Sequence, residues 1–252
     1  MTNEIYYAIM EFIFIKIYRI SMNIFVNHIT QNLSHSEFER LAALVAREKR
    51  TKIQNYRSFS DAQRSLLGDV LARYAVCTTY NLLNTNLQFS ENEFGKPFLQ
   101  SHQNIRHNIS HAGNYVVCAV SEAMQIGIDV ETITSTDIEI AERFFTSDEY
   151  NYLQKQPPEL QNDCFYKIWT MKESYIKMIG KGLSMPLNSF SVLNKNSTNG
   201  AYFLQFIKTA DAVGHICSER TAEAHCVEIS YTQLLEWASY MTSNKHYISG
   251  RG

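Results

Sequence analysis

The sequence predicts an α+β protein made of two similar halves packed closely together. Two observations carry that prediction. Helical patterns followed by short strand-like segments occur once before about residue 122 and again after it, and no low-complexity linker separates the two runs. A third observation, the strand-like stretch "IGIDVE" at Ile126–Glu131, places two carboxylates near the junction of the halves. The resulting division is an N-terminal extension (1–13), a first half (14–122), a second half (123–241) and a tail (242–252).

The elements follow in order. "YYAIMEFIFIKIY" is the most apolar stretch of the chain, but Glu11 and Lys16 interrupt it and it is too short to span a bilayer. Its latter part, Phe12 to Met22, is expected to be a buried first strand. Ser36 with Glu39 reads as a capping box opening a helix through Phe38, Leu41, Leu44 and Val45. Ser60 with Gln63 reads as a second box, opening a helix whose buried stripe is Leu66, Leu67, Val70, Leu71 and Tyr74. Between them lies the basic run "REKRTKIQNYR". The segments "NIRHNIS", "YVVCAVS" and "QIGIDVE" read as a meander, with "HAGN" (His111 to Asn114) as a tight turn. Helical patterns resume in "DIEIAERFF", "SDEYNYLQK" and the long "NDCFYKIWTMKESYIKMIG", which stops at Gly180. "AYFLQFIK" and "AHCVEIS" read as strands, and "TQLLEWASYM" as a last amphipathic helix.

Composition excludes some functions. The net charge of −2 gives no global field for nucleic acid, and five scattered cysteines without a C-x-x-C pair fit reduced thiols in a cytoplasmic protein. Neither a nucleic-acid nor a membrane partner is expected.

In a strand, Ile126, Ile128 and Val130 point to one face while Gly127, Asp129 and Glu131 point to the other. The Cα atoms of Asp129 and Glu131 would then be about 6.5 to 7 Å apart, close enough to repel each other and to bind one cation together. By itself such a pair is compatible with two solvated positions on an outer face. Glu173 shares a helix face with Trp169 and Lys177, and alone it reads as a surface pair with Lys177 worth about 0.3 to 0.5 kcal/mol. Together the three carboxylates could form a hard oxygen site for Mg²⁺, or alternatively Mn²⁺, which implies a phosphate-bearing ligand. Lys49, Lys52, Arg64, Lys96 and His111 would supply countercharge. Met171, Met178, Phe144 and Phe145 are read as core rather than as a docking surface.

"IGIDVE" followed by "WTMKESYIK" resembles the paired signature of the 4′-phosphopantetheinyl transferases. "EKRTKIQNYRSFSDAQRSLLGDVL", "NEFGKPFL", "HNISHAG", "AERFFTSDEY" and "GKGLSMPLNSFSV" are similar to segments of the larger, Sfp-type branch, which activates peptide and polyketide synthetases; the resemblance covers roughly residues 14 to 232. It implies a monomer of two halves related by a pseudo-twofold, with coenzyme A and Mg²⁺ between them. It also implies transfer of the phosphopantetheine arm of coenzyme A to a serine of an apo peptidyl or acyl carrier protein. Carried over by position, Asp129, Glu131 and Glu173 match the metal-binding acids. Lys177 matches a pyrophosphate-contacting lysine. Lys49, Lys52, Ser65 and His111 match residues around the 3′-phosphate, Gly95, Lys96 and Pro97 match the adenine-side loop, and Ser110 lies beside the pyrophosphate. Ala112 stands where a serine is common. Catalysis would fall to Glu173, as base or metal ligand, and to Lys177. The exposed loop "TITSTD" is expected to touch the carrier. A Mg²⁺-dependent phosphohydrolase or nuclease would use the same acids but would leave "GKP" and "SHAG" without a role; a non-catalytic coenzyme A-binding module is the other alternative.

Overall fold

The computed structural model describes residues 21–243. The first strand, β1 (Ser21–His28), lies further along the chain than expected. Of the anticipated strand only Ser21 and Met22 belong to it; Phe12 to Ile20, like the extension and most of the tail, lie outside the described residues. The sequence of β1 hides its burial because Asn27 is polar, yet the Asn27 side chain is fully buried and donates to Ile229 O at 2.6 Å.

Three helices follow: α1 (His35–Ala42), α2 (Arg47–Gln54) and α3 (Phe59–Tyr80). The capping box of α1 is Ser34 with Glu37, one turn-start earlier than the Ser36 and Glu39 pair. The basic run forms α2. Ser60 and Gln63 make no box: Gln63 is buried, accepting from Leu33 N at 2.8 Å and donating to Gln31 O at 3.2 Å, so its amide ties the β1–α1 connection instead. Leu66, Leu67, Val70 and Leu71 are buried as the periodicity requires.

A short hairpin, β2 (Phe89–Glu91) and β3 (Pro97–Leu99), precedes β4 (Ile105–Ala112), β5 (Tyr115–Glu122) and β6 (Ile126–Thr132); β4 and β5 pair antiparallel, but β6 pairs with a later strand in another sheet, so the expected three-strand meander does not form. The turn between β4 and β5 is tighter than "HAGN": His111 and Ala112 pair with Val116 and Tyr115, leaving Gly113 (φ 52°) and Asn114 to reverse the chain. The second half continues with α4 (Ala141–Phe144), α5 (Ser147–Gln154), α6 (Pro158–Ile179), β7 (Tyr202–Lys208), β8 (Ala212–Ser218), β9 (Glu223–Glu228) and α7 (Tyr231–Ser243). The sequence reading missed β8, "AVGHICS", because Gly214 and His215 look like turn residues; both are buried, and His215 Nδ1 lies 2.7 Å from Thr170 Oγ1.

Two main sheets result, in the orders β4-β5-β1-β9 and β6-β8-β7. Residues 223–243, expected with the second half, return to the first: β9 pairs in parallel with β1, and Leu234, Leu235, Trp237 and Ala238 of α7 join the core under α1 and α3. Burial of an otherwise bare side of β1 and of the α1–α3 face explains the return. A second core lies under α6, where Phe145 and Met178 are buried and Phe144 and Met171 pack against it, in keeping with their reading as core. A third core between the sheets takes Ile126, Ile128 and Val130, all at most 1% exposed, as their alternation requires.

Where β4 meets β6, side chains replace a ladder. Asn108 Oδ1 accepts from Ile128 N at 2.8 Å and Ser110 Oγ donates to Asp129 Oδ1 at 2.8 Å, so alternate residues of β4 fix the strand that carries the acids. On the other side, β6 touches α6 backbone to backbone at Gly127. A Cβ there would come within 2.1 Å of Ser174 O and 2.2 Å of Met178 N.

Candidate active site

Between α2, α3, β4, β6 and α6 lies a cleft of about 980 Å³. Lys49, Lys52, Ser65, Gly95, Pro97, Ser110, His111, Asp129, Glu131, Glu173 and Lys177 all line it, so residues scattered over 129 positions of the chain come together. Basic and acidic groups both line the cleft. Lys49 and Lys52 project from one face of α2, Lys52 into solvent and Lys49 toward Asp69, whose carboxylate it meets at 3.1 Å. Arg64 is not free countercharge: it pairs with Asp61 and donates to Gly113 O at 3.1 Å.

Lys96 departs furthest from expectation. Gly95 and Pro97 line the cleft, but the Lys96 side chain turns away from it and donates to Met178 O at 2.9 Å and Ile126 O at 3.3 Å. An ammonium so engaged cannot serve as countercharge in the cleft.

Among the acids, Asp129 is 3% exposed and central. Its Oδ1 accepts from Lys177 Nζ at 2.6 Å and from Ser110 Oγ, and Lys177 Nζ also donates to Ser110 Oγ at 2.9 Å. Its Oδ2 is buried and has no partner. Loss of water, and then the charge of Asp129, push Glu131 up to about 7; Lys177 and a hydrogen bond from Trp169 pull the other way. The same two causes raise Glu173, with Lys177 opposing. These carboxylates therefore hold negative charge at a cost that a cation would relieve. They do not converge as a ready chelate: among the described residues, no group of three or more His, Cys, Asp or Glu is gathered closely enough to hold a metal ion. Lys177 holds one oxygen of Asp129 and leaves Oδ2 without a partner.

Asp69, Arg73, Phe89 and His107 also line the cleft and were not anticipated; Trp169, read as sharing the face of Glu173 and Lys177, lines it with them. The α3 residues could have been found by period: Ser65, Gly68, Asp69, Ala72 and Arg73 share the face opposite the leucine stripe, and small residues there leave room for a ligand.

The motif's other lysine has a structural role. Lys172 and Glu149 are both fully buried, with Nζ at 2.5 Å from Glu149 Oε2 and from Phe190 O, and 4.4 Å from the Phe190 ring centre. Glu149 in turn accepts from Val192 N at 2.7 Å and Thr146 N at 2.9 Å. The pair locks α5 to α6 and holds Glu173 on the cleft side.

Comparison with known proteins shows the family. A family model for the 4′-phosphopantetheinyl transferase superfamily matches residues 125–229, and one for the N-terminal part of a 4′-phosphopantetheinyl transferase matches residues 32–123. A 4′-phosphopantetheinyl transferase of Bacillus subtilis is 42% identical over 197 residues, covering 76% of this chain and 88% of its own. This chain belongs to the 4′-phosphopantetheinyl transferases. Among other relatives, the transferase Sfp of Bacillus subtilis (strain 168) is 43% identical over 171 residues, covering 68% of this chain and 76% of its own. The transferase gsp of Aneurinibacillus migulanus is 39% identical over 204 residues, covering 78% and 84%. The transferase fold is thus mixed α+β, and among the described residues no helix is long and apolar enough to cross a membrane.

Proposed function

We propose that this transferase moves the 4′-phosphopantetheine arm of coenzyme A to a serine of an apo peptidyl or acyl carrier protein, as a cytoplasmic monomer, releasing adenosine 3′,5′-bisphosphate. The observation that carries the reading is the single cleft that brings basic side chains (Lys49, Lys52, His111, Lys177) together with one buried and two half-buried acids (Asp129; Glu131, Glu173). Substrates with a phosphate at one end and a pyrophosphate at the other need both.

The unpartnered Asp129 Oδ2 and the raised Glu131 and Glu173 suit a hard divalent cation, so Asp129, Glu131 and Glu173 would hold Mg²⁺ or Mn²⁺. When bound, the ion supplies positive charge that offsets the charge growing on the leaving phosphate. The residues of the chain do the rest. Lys49, Lys52, Ser65 and His111 grip the 3′-phosphate, and Gly95 and Pro97 flank the adenine. Ser110 and Lys177 donate to the pyrophosphate. Glu173, through the carboxylate oxygen not given to the ion, accepts the proton of the carrier serine as the serine oxygen bonds to phosphorus; the phosphoanhydride bond breaks and Lys177 stabilises the departing oxygen. The "TITSTD" loop, where Thr134 and Thr136 bond the Tyr166 hydroxyl at 2.9 and 2.7 Å, stands beside Glu131 for carrier contact.

The test is to incubate the protein with coenzyme A, Mg²⁺ and an apo peptidyl carrier domain and weigh the carrier. A gain of one phosphopantetheine unit is expected. Cleavage of coenzyme A with no gain would point to a hydrolase, and binding without turnover to a binding module.

A further inference from the structure

We infer that Lys96 is a positioning residue for the transfer: its ammonium pins strand β6 and helix α6 to each other and so sets the acids of one against the acid and lysine of the other. The inference rests on Asp129, Glu173 and Lys177 being the reacting cluster.

Lys96 starts from the β2–β3 connection, which Asn92 shapes by accepting from Phe94 N at 3.0 Å and from Lys96 N at 2.8 Å. From there the side chain enters the junction of the two sheets. Its two acceptors are a carbonyl of β6, Ile126 O, three residues before Asp129, and a carbonyl in the last turn of α6, Met178 O, next to Lys177. The last four carbonyls of a helix have no partner within it, and a cation there is favoured by the helix dipole. Asn92 does the same one step on, its Nδ2 donating to Gly180 O at 3.0 Å. One short loop thus holds the C-terminal end of α6 at two successive points.

The neighbouring glycines fit this use. Gly180, at φ +77°, lies where an added Cβ would stand 2.7 Å from Lys96 Cδ, so the stem of Lys96 needs that position bare. Gly127 lets β6 and α6 touch beside the pin, with Met178 N 2.2 Å from where its Cβ would be. Burial, and then Arg106, pull Lys96 down to about 8, against which its two carbonyl acceptors work. The side chain is absent from the lining of the cleft that holds the acids and borders a separate pocket of about 520 Å³ with Asn92, Arg106 and Met178, so it reaches the reacting groups through β6 and α6.

The experiment compares Lys96→Met with the unaltered enzyme in steady-state transfer to an apo carrier, at a temperature where circular dichroism shows both fully folded. Misplacement of reacting groups by about 1 Å costs about a hundredfold, so kcat is expected to fall ten- to a hundredfold while KM for coenzyme A stays within about twofold. A tenfold rise in KM with kcat kept would make Lys96 a ligand contact, and unchanged kcat with a lowered Tm would make it structural only; either overturns the inference. Asp129→Ala run alongside keeps the two claims apart: if it too transfers normally, the reacting cluster itself is wrong. Should Lys96→Met not fold, the ¹⁵Nζ resonance of Lys96 in the unaltered protein decides. It is expected not to move when coenzyme A binds; a shift on binding would refute the pin.

Discussion

Gly127→Ala isolates the crossing on which the site depends. The added methyl carbon would lie 2.1 Å from Ser174 O, 2.2 Å from Met178 N and 2.8 Å from Lys177 C, all of them α6 backbone, so no side-chain rotation relieves the contact. Reaching an ordinary separation requires α6 to move off β6 by about 1 Å or more. Overpacking of this kind costs about 1 to 3 kcal/mol. For a chain of this size each kcal/mol lowers Tm by about 2 to 4 °C, giving a drop of about 2 to 12 °C. The larger effect is on turnover, because Glu173 and Lys177 travel with α6 while Asp129 and Glu131 stay on β6, and an error of about 1 Å costs about a hundredfold. Carrier mass against time, measured well below the new Tm, reads the rate. Gly200→Ala is the control: it strains a backbone at φ +74° with nothing within 4 Å, and should lower Tm alone. Turnover within about threefold of normal in a folded Gly127→Ala protein would refute the idea that this close crossing sets the catalytic geometry.

Other outcomes follow from the same coordinates. Glu131 is raised from its ordinary 4.5 to about 7, so the folded state holds its proton more tightly than the unfolded chain does. In chelator its contribution to stability is full below pH 4.5 and is lost as pH rises through about 7, by on the order of 3 kcal/mol at most; Glu131→Gln should flatten that slope in thermal melts. Lys172→Ala leaves the Glu149 carboxylate buried without its cation and should cost about 3 to 5 kcal/mol in denaturant unfolding, whereas Lys172→Met with Glu149→Gln, whose amide oxygen still accepts a backbone N–H, should recover part of it. Lys49→Ala should weaken coenzyme A about ten- to a hundredfold by calorimetry and leave dephospho-coenzyme A unaffected; equal losses would mean that Lys49 does not read the 3′-phosphate.

What the sequence made legible was local. Alternation in "IGIDVE" places Ile126, Ile128 and Val130 in the core and Asp129 in the cleft, and strict period-two geometry leaves no other choice once one face is buried. The spacing of Glu173 and Lys177 likewise puts both on one helix face. Tertiary demands decided the rest. Apolar content pointed to Phe12–Met22 for the first strand, but "SMNIFVNH" forms it, with the Asn27 amide donating to a carbonyl 202 residues away. Gly214 and His215 belong to a stretch the sequence reading left unassigned, and they sit in a buried strand because Gly214 admits Phe206 and His215 meets Thr170. Lys96 and Lys172 are the clearest cases. Nothing in their neighbours along the chain tells a lysine that bonds buried carbonyls or a buried glutamate from one in solvent.

The most direct measurement is transfer by Asp129→Ala, judged by carrier mass in excess coenzyme A and Mg²⁺ beside a thermal melt. Asp129 holds Lys177 and Ser110 at one oxygen and leaves the other buried and unpartnered, so its removal strips the centre of the acidic cluster without opening the cores. Loss of detectable phosphopantetheine on the carrier, with cooperative melting retained, is expected. Normal carrier mass at a normal rate would contradict the placement of the reaction in this cleft.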